Sequence, residues 1–94
     1  MRKYELMVVM KKEFPHEDEK KRNEVIEQML TGQKIEKLAV SDFGKKQLAY
    51  EIKKETEGCY ILATFESEAV IISQVEAQVR LMDGVLRYLL TKLD

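Results

Sequence analysis

With 94 residues, 45% of them hydrophobic and 35% charged, the chain has room for one small globular domain, residues 1–94, and no apolar run near the ~18 residues a membrane span needs. Sixteen basic against seventeen acidic side chains leave a formal net charge of −1, which excludes the uniformly basic module that coats nucleic acid by charge alone. One cysteine and one histidine cannot form an internal disulfide or build a zinc site by themselves.

Residues 4–10 predict a strand, because Tyr4, Leu6, Val8 and Met10 share one parity and are all apolar. The other parity opens with Lys3 and Glu5 and turns apolar at Met7 and Val9. Phe14-Pro15 closes the strand region, since proline donates no ladder hydrogen bond. From Glu17 to Thr31 the spacing becomes helical, with Val25, Ile26, Met29 and Leu30 on one stripe. Glu17, Asp18 and Glu19 oppose the positive end of its dipole, and Gly32 is placed for the left-handed position after its last turn.

Residues 35–52 predict a long second strand, bent near Ser41-Asp42-Phe43-Gly44 where turn formers gather. Glu55-Thr56-Glu57-Gly58 is the expected hairpin turn, and Cys59 to Glu66 the third strand. Ser67 is the expected cap of a second helix running to Leu81, with Ile72, Val75 and Val79 facing inward. Asp83-Gly84 then turns the chain into a last strand, Val85 to Leu93. The order β-α-β-β-α-β with right-handed crossovers predicts an α+β, ferredoxin-like sandwich: a four-stranded antiparallel sheet, its first and third strands central, with both helices on one face.

That arrangement makes the other face informative. If Tyr4, Leu6, Val8 and Met10 face the helices, Met7 and Val9 face away. The same alternation puts Tyr60 and Leu62 of the third strand and Leu89 of the last strand on the uncovered side. A half-solvated antiparallel sheet alternates apolar with polar. Scattered apolar surface residues are ordinary, but a patch on central strands marks a docking surface. Arg2 and Lys3 start the first strand, Lys45, Lys46, Lys53 and Lys54 fall near the ends of the second strand, Arg80 closes the second helix, and Arg87 and Lys92 lie on the last strand. Singly each is a solvated charge, and Arg80 also complements a helix C-terminus; together they form a rim able to contact phosphates.

Catalytic constellations are absent from the pattern. His16, next to Pro15, is expected exposed and has no nucleophile near it in sequence. Cys59 heads an apolar strand as a small core residue. The glycines match no dinucleotide fingerprint or phosphate loop, and Asp42-Phe43-Gly44 lacks every other kinase signature. No enzyme activity, metal or cofactor is expected.

The segment Gly44-Lys45-Lys46-Gln47-Leu48-Ala49-Tyr50-Glu51-Ile52-Lys53, together with the start Arg2-Lys3-Tyr4-Glu5 and the end Arg87-Tyr88-Leu89-Leu90-Thr91-Lys92, resembles the family of the sixth protein of the bacterial small ribosomal subunit. The resemblance covers essentially the whole chain and implies the same fold. It further implies a cytoplasmic protein of the small subunit that binds small-subunit ribosomal RNA jointly with the small basic protein numbered eighteen of that subunit. By matching position, Arg2, Lys3, Lys45, Lys46, Arg80, Arg87 and Lys92 are then the RNA-binding residues, while the uncovered Met7, Val9, Tyr60, Leu62 and Leu89, placed by strand parity, are the surface the partner protein is expected to cover. Two departures stand out: the sequence stops at Asp94 where many relatives carry a polar tail, and Glu51 replaces a frequent proline. Without its partner the chain is expected to be a monomer, and no membrane contact is expected. Two other readings fit the same sheet: a homodimer closing around a small ligand, and a stand-alone RNA-recognition module that stacks bases on aromatics.

Overall fold

The computed structural model describes residues 1–93; Asp94 lies outside the described residues. The chain runs β1 (Arg2–Lys11), α1 (Glu19–Met29), β2 (Glu36–Ile52), β3 (Glu55–Ser67), α2 (Ile72–Arg80) and β4 (Val85–Lys92). The strands form one sheet in the order β2-β3-β1-β4, every neighbouring pair antiparallel. This is the expected ferredoxin-like arrangement, with the first and third strands in the centre.

Parity determines the core. Tyr4, Leu6, Val8 and Met10 of β1 and Cys59, Ile61, Ala63 and Phe65 of β3 are buried in one cluster with Ile26, Met29 and Leu30 from the end of α1 and Val75 and Val79 from α2. Both helices therefore cover the same sheet face. The Tyr4 and Phe65 rings stack with centroids 5.6 Å apart, consistent with their direct pairing across β1 and β3.

The first helix is shorter than its pattern by about a turn in all. Asp18 is its N-cap, its carboxylate accepting from the Lys21 N–H at 3.2 Å, so Glu17 and Asp18 precede the helix. Gly32 takes the expected left-handed conformation (φ 86°).

Two expectations about β3 are overturned. The hairpin turn is Lys53-Lys54, not Glu55–Gly58: both lysines have left-handed φ (50° and 65°), and Ile52 pairs with Glu55 directly after them. That is the backbone of a two-residue hairpin turn matched to strand twist. Gly58 instead sits inside β3, where a side chain would collide with Val9: an added Cβ would lie 2.5 Å from Val9 Cγ1 and 3.2 Å from the Met10 carbonyl oxygen. Ser67, expected to cap α2, is the last residue of β3 and is fully buried. Its hydroxyl is shared between the carbonyls of Lys34 (2.7 Å) and Ala69 (3.1 Å). A side chain distant in sequence serves the helix start, with the Gln33 Oε1 accepting from the Ile71 N–H at 2.8 Å while its Nε2 donates to Gln74.

Because α2 begins this late, Ile72 lies in its first turn, off the Val75–Val79 stripe, and is 59% exposed. The half-buried Val70, ahead of the helix, packs on the core in its place. The expected bend in β2 is present as a register shift between Asp42 and Gly44. Gly44 has φ 84°, and its N–H donates to the Asp42 carboxylate at 2.8 Å, a one-residue bulge stabilised by its own side chain.

Candidate functional site

Beneath the helices the sheet is closed; its other side is bare. Strand pairing places Met7 between Leu62 and Leu89, and Val9 between Tyr60 and Arg87. None of Met7, Val9, Tyr60, Leu62 and Leu89 belongs to the helix-covered cluster. Leu89 is 58% exposed; Met7, Tyr60 and Leu62 are half-buried. A shallow hollow of about 240 Å³ is bounded by Met7, Val9, Tyr60, Arg87, Tyr88 and Leu89.

Val9 differs from the other four, being only 4% exposed. The physical reason is the long β2–β3 hairpin. Both Val9 Cγ1 and Leu48 Cδ2 close on the space beside Gly58. Further along, the hairpin reaches the far edge of the sheet: Arg87 Nη1 of β4 donates to the Tyr50 hydroxyl at 3.0 Å, and Lys53 Nζ donates to the Val85 carbonyl at 3.1 Å. The hairpin end thus crosses the Val9 end of the bare face. Val9 supports the patch from below, while Met7, Tyr60, Leu62 and Leu89 present it.

The seven cations do not form one group. Arg2, Lys3 and Lys92 lie together at one end of the sheet, where Lys92 pairs with Tyr4 and Lys3 with Glu66. Lys45, Lys46 and Arg87 lie toward the other end, about 17–30 Å away at strand rise, with Arg80 at the end of α2 beside Arg87. Lys45 and Lys46, adjacent in sequence, turn to opposite faces. Lys46 Nζ sits 5.7 Å from the Tyr60 ring centroid and 5.9 Å from that of Phe43 on the bare face, a cation–π arrangement. Lys45 borders a hollow beside Phe14 and His16.

A wider groove of about 760 Å³ lies at this second end, between the C-terminal part of α2, the start of β4 and the hairpin tip. Its cations are Arg80 and Arg87, which sequence reasoning singled out, and Lys11 and Lys53, which it did not assign to RNA; Asp83 is the carboxylate among its walls. Only the crossing of the hairpin brings Lys53 to β4, and no local pattern encodes it. Behind the groove the Tyr88 phenol is pushed above its ordinary pKa, chiefly by burial and then by the Glu76 carboxylate, to which it hydrogen-bonds, while Arg80 opposes the shift.

His16 is a correction. It is not a loose exposed group: its side chain is 16% exposed, with Nδ1 at 2.9 and 3.0 Å from the two Asp42 carboxylate oxygens. The Arg22 guanidinium donates to the His16 carbonyl at 2.7 Å. The bulge at Gly44 aims Asp42 at the β1–α1 loop, so the contact ties that loop to β2. Partial burial raises the Asp42 pKa, but the Gly44 N–H, the His16 contact and the charges of His16 and Arg22 outweigh it and hold the carboxyl below its ordinary value. Cys59 is fully buried, and that burial raises its thiol pKa, so it packs as an inert core residue.

A β-α-β-β-α-β sheet with helices on one face, an apolar patch on the other and cations gathered at both ends defines a ferredoxin-like binding domain. The profile of ribosomal protein S6 matches residues 3–92, and the chain belongs to that family. It is similar to the small ribosomal subunit protein bS6 of Moorella thermoacetica, 33% identical over 94 residues that cover 100% of this chain and 96% of that one. The bS6 protein of Halalkalibacterium halodurans is 38% identical over 95 residues, covering 98% and 97%. The crystal structure of 30S ribosomal protein S6 from Thermotoga maritima superposes with a TM-score of 0.77 at 26% identity, covering 98% of this chain and 87% of that one.

Proposed function

We propose that this chain is a structural, non-catalytic component of the bacterial small ribosomal subunit in the cytoplasm. In this reading it binds small-subunit ribosomal RNA cooperatively with the small basic protein numbered eighteen. The observation that carries this is the apolar patch of Met7, Tyr60, Leu62 and Leu89 on the face its own helices leave bare, in a chain whose net charge is −1. A near-neutral protein gains little from counterion release on RNA. A basic partner seated on the patch supplies the missing positive charge and removes apolar surface from water. Fully burying one leucine side chain contributes about 1.5–3 kcal/mol, so covering the half-exposed Leu89 with its neighbours is worth a few kcal/mol before the cost of association.

The patch suits a protein partner better than stacked bases. β1 offers Met7 and Val9 where a base-stacking module carries aromatics, and the Tyr60 ring already has the Lys46 ammonium near it. The free chain is a monomer in this reading. Small subunits taken through a high-salt wash should retain the protein, and light scattering of the free chain should give a monomer at micromolar concentration. Loss from washed subunits, or a stable free homodimer, contradicts the proposal.

A further inference from the structure

We propose that the groove between the end of α2, the start of β4 and the β2–β3 hairpin tip is the seat of an RNA phosphodiester backbone, held by Lys11, Lys53, Arg80 and Arg87. The inference rests on the RNA-binding function above and deepens it. It selects one end of the sheet, adds Lys11, which the sequence does not mark, and draws Lys53 of the expected cationic rim into one groove with Arg80 and Arg87.

Four cations face one carboxylate, Asp83, around a groove of about 760 Å³. A volume of that size holds sugar and phosphate together rather than a single ion. Among the described residues, carboxylates contact His16 (Glu17 and Asp42) and Lys37 (Glu66); none of the four groove cations is matched by a carboxylate in that way. Two of them are instead oriented by neutral oxygens. Lys53 donates one hydrogen bond to the Val85 carbonyl and Arg87 one to the Tyr50 hydroxyl. An ammonium has three donors and a guanidinium five, so both keep donors for phosphate oxygens while their side chains are already ordered. That ordering lowers the entropy lost when an anion binds. The nearby Glu76 carboxylate accepts from the Tyr88 hydroxyl. The groove is thus a local excess of positive charge in a chain of net charge −1.

Each phosphate neutralised contributes about 0.7 to the salt slope on single-stranded RNA and about 0.9 on a duplex. Lys11 bonds Gly84 and Phe14 through its backbone alone, and among the described residues neither its side chain nor that of Arg80 makes a hydrogen bond or ion pair, so Lys11→Gln/Arg80→Gln in the full chain is the clean variant. It is compared with the unmodified chain by filter binding to a transcript of the small-subunit RNA central domain, across a salt series, with the partner protein saturating. Removing two contacts should flatten the slope by about 1.4–1.8 and weaken binding roughly 25- to 60-fold near 0.1 M salt. Affinity for the partner without RNA should stay unchanged, and the melting temperature should fall by no more than the few degrees that loss of the Arg80 charge from the α2 C-terminus costs.

An unchanged slope, with the unmodified chain binding the transcript, overturns the groove and leaves the function standing. So does a greater loss from Arg2→Gln/Lys92→Gln at the other end of the sheet, or a loss of partner affinity in the absence of RNA. Failure of the unmodified chain and its partner to bind the transcript sinks the function and the groove together.

Discussion

Replacing Gly58 by alanine tests the packing that shapes the bare face. Gly58 is not in the left-handed region, so alanine is allowed there by the backbone, and in a strand it is ordinarily preferred by about 0.5–1 kcal/mol. The added methyl would nevertheless lie 2.5 Å from Val9 Cγ1, with the Met10 carbonyl oxygen at 3.2 Å and Leu48 Cδ2 at 3.4 Å. Val9 is on a central strand and 4% exposed, so it cannot swing clear into solvent. Overpacking of this kind costs about 1–3 kcal/mol. An approach as close as 2.5 Å puts the cost in the upper part of that range, about 2–3 kcal/mol, so the net loss is about 1–2.5 kcal/mol, or roughly 4–20 °C in melting temperature for a domain of this size. Thermal and urea unfolding followed by circular dichroism measure it. Adding Val9→Ala should relieve the clash, so the double variant loses less stability than the two single losses combined, by more than about 0.5 kcal/mol. An unchanged or raised melting temperature for Gly58→Ala would refute the reasoning, since that is the behaviour of a glycine in a solvated surface segment.

Leu89→Glu should leave folding within about 0.5 kcal/mol, because the residue is 58% exposed, yet weaken partner association about five- to thirtyfold in calorimetric titration. Gln33→Ala removes the side chain that accepts from Ile71 and donates to Gln74 at the start of α2; a loss of about 1 kcal/mol in urea unfolding is expected. Asp42 has a folded-state pKa below its unfolded value, so its contribution is complete above about pH 4 and disappears as pH falls through the folded value. The stability difference between the unmodified chain and Asp42→Asn should accordingly be constant near neutrality and narrow under acid; a gap that widens on acidification would reverse the sign.

Local chemistry and strand period made most of the fold readable. Tyr4, Leu6, Val8 and Met10 fix the face of β1 by alternation alone, and Asp42-Phe43-Gly44 announces a bulge because only glycine takes φ 84° easily there. The errors share one cause: the same residue type serves local and tertiary needs. Gly58 reads as a turn former but is small to admit Val9, while the true turn uses two lysines in a conformation that sequence ordinarily assigns to Asn-Gly. Ser67 reads as a cap but is itself buried and donates to the carbonyls of Lys34 and Ala69. At the candidate site, parity located the apolar patch residue by residue. The burial of Val9, the tethering of His16 to Asp42 and the convergence of Lys11 and Lys53 with Arg80 and Arg87 all depend on contacts between segments distant in the chain, which periodicity does not encode.

Cooperativity on RNA is the central claim, and one titration addresses it. The chain is titrated onto a transcript of the small-subunit RNA central domain by filter binding at about 0.15 M salt, with and without the small basic partner. Weak binding alone and at least a hundredfold tighter binding with the partner is the predicted result. Equally tight binding in both arms would contradict the account, because the bare apolar face would then have no part in RNA recognition.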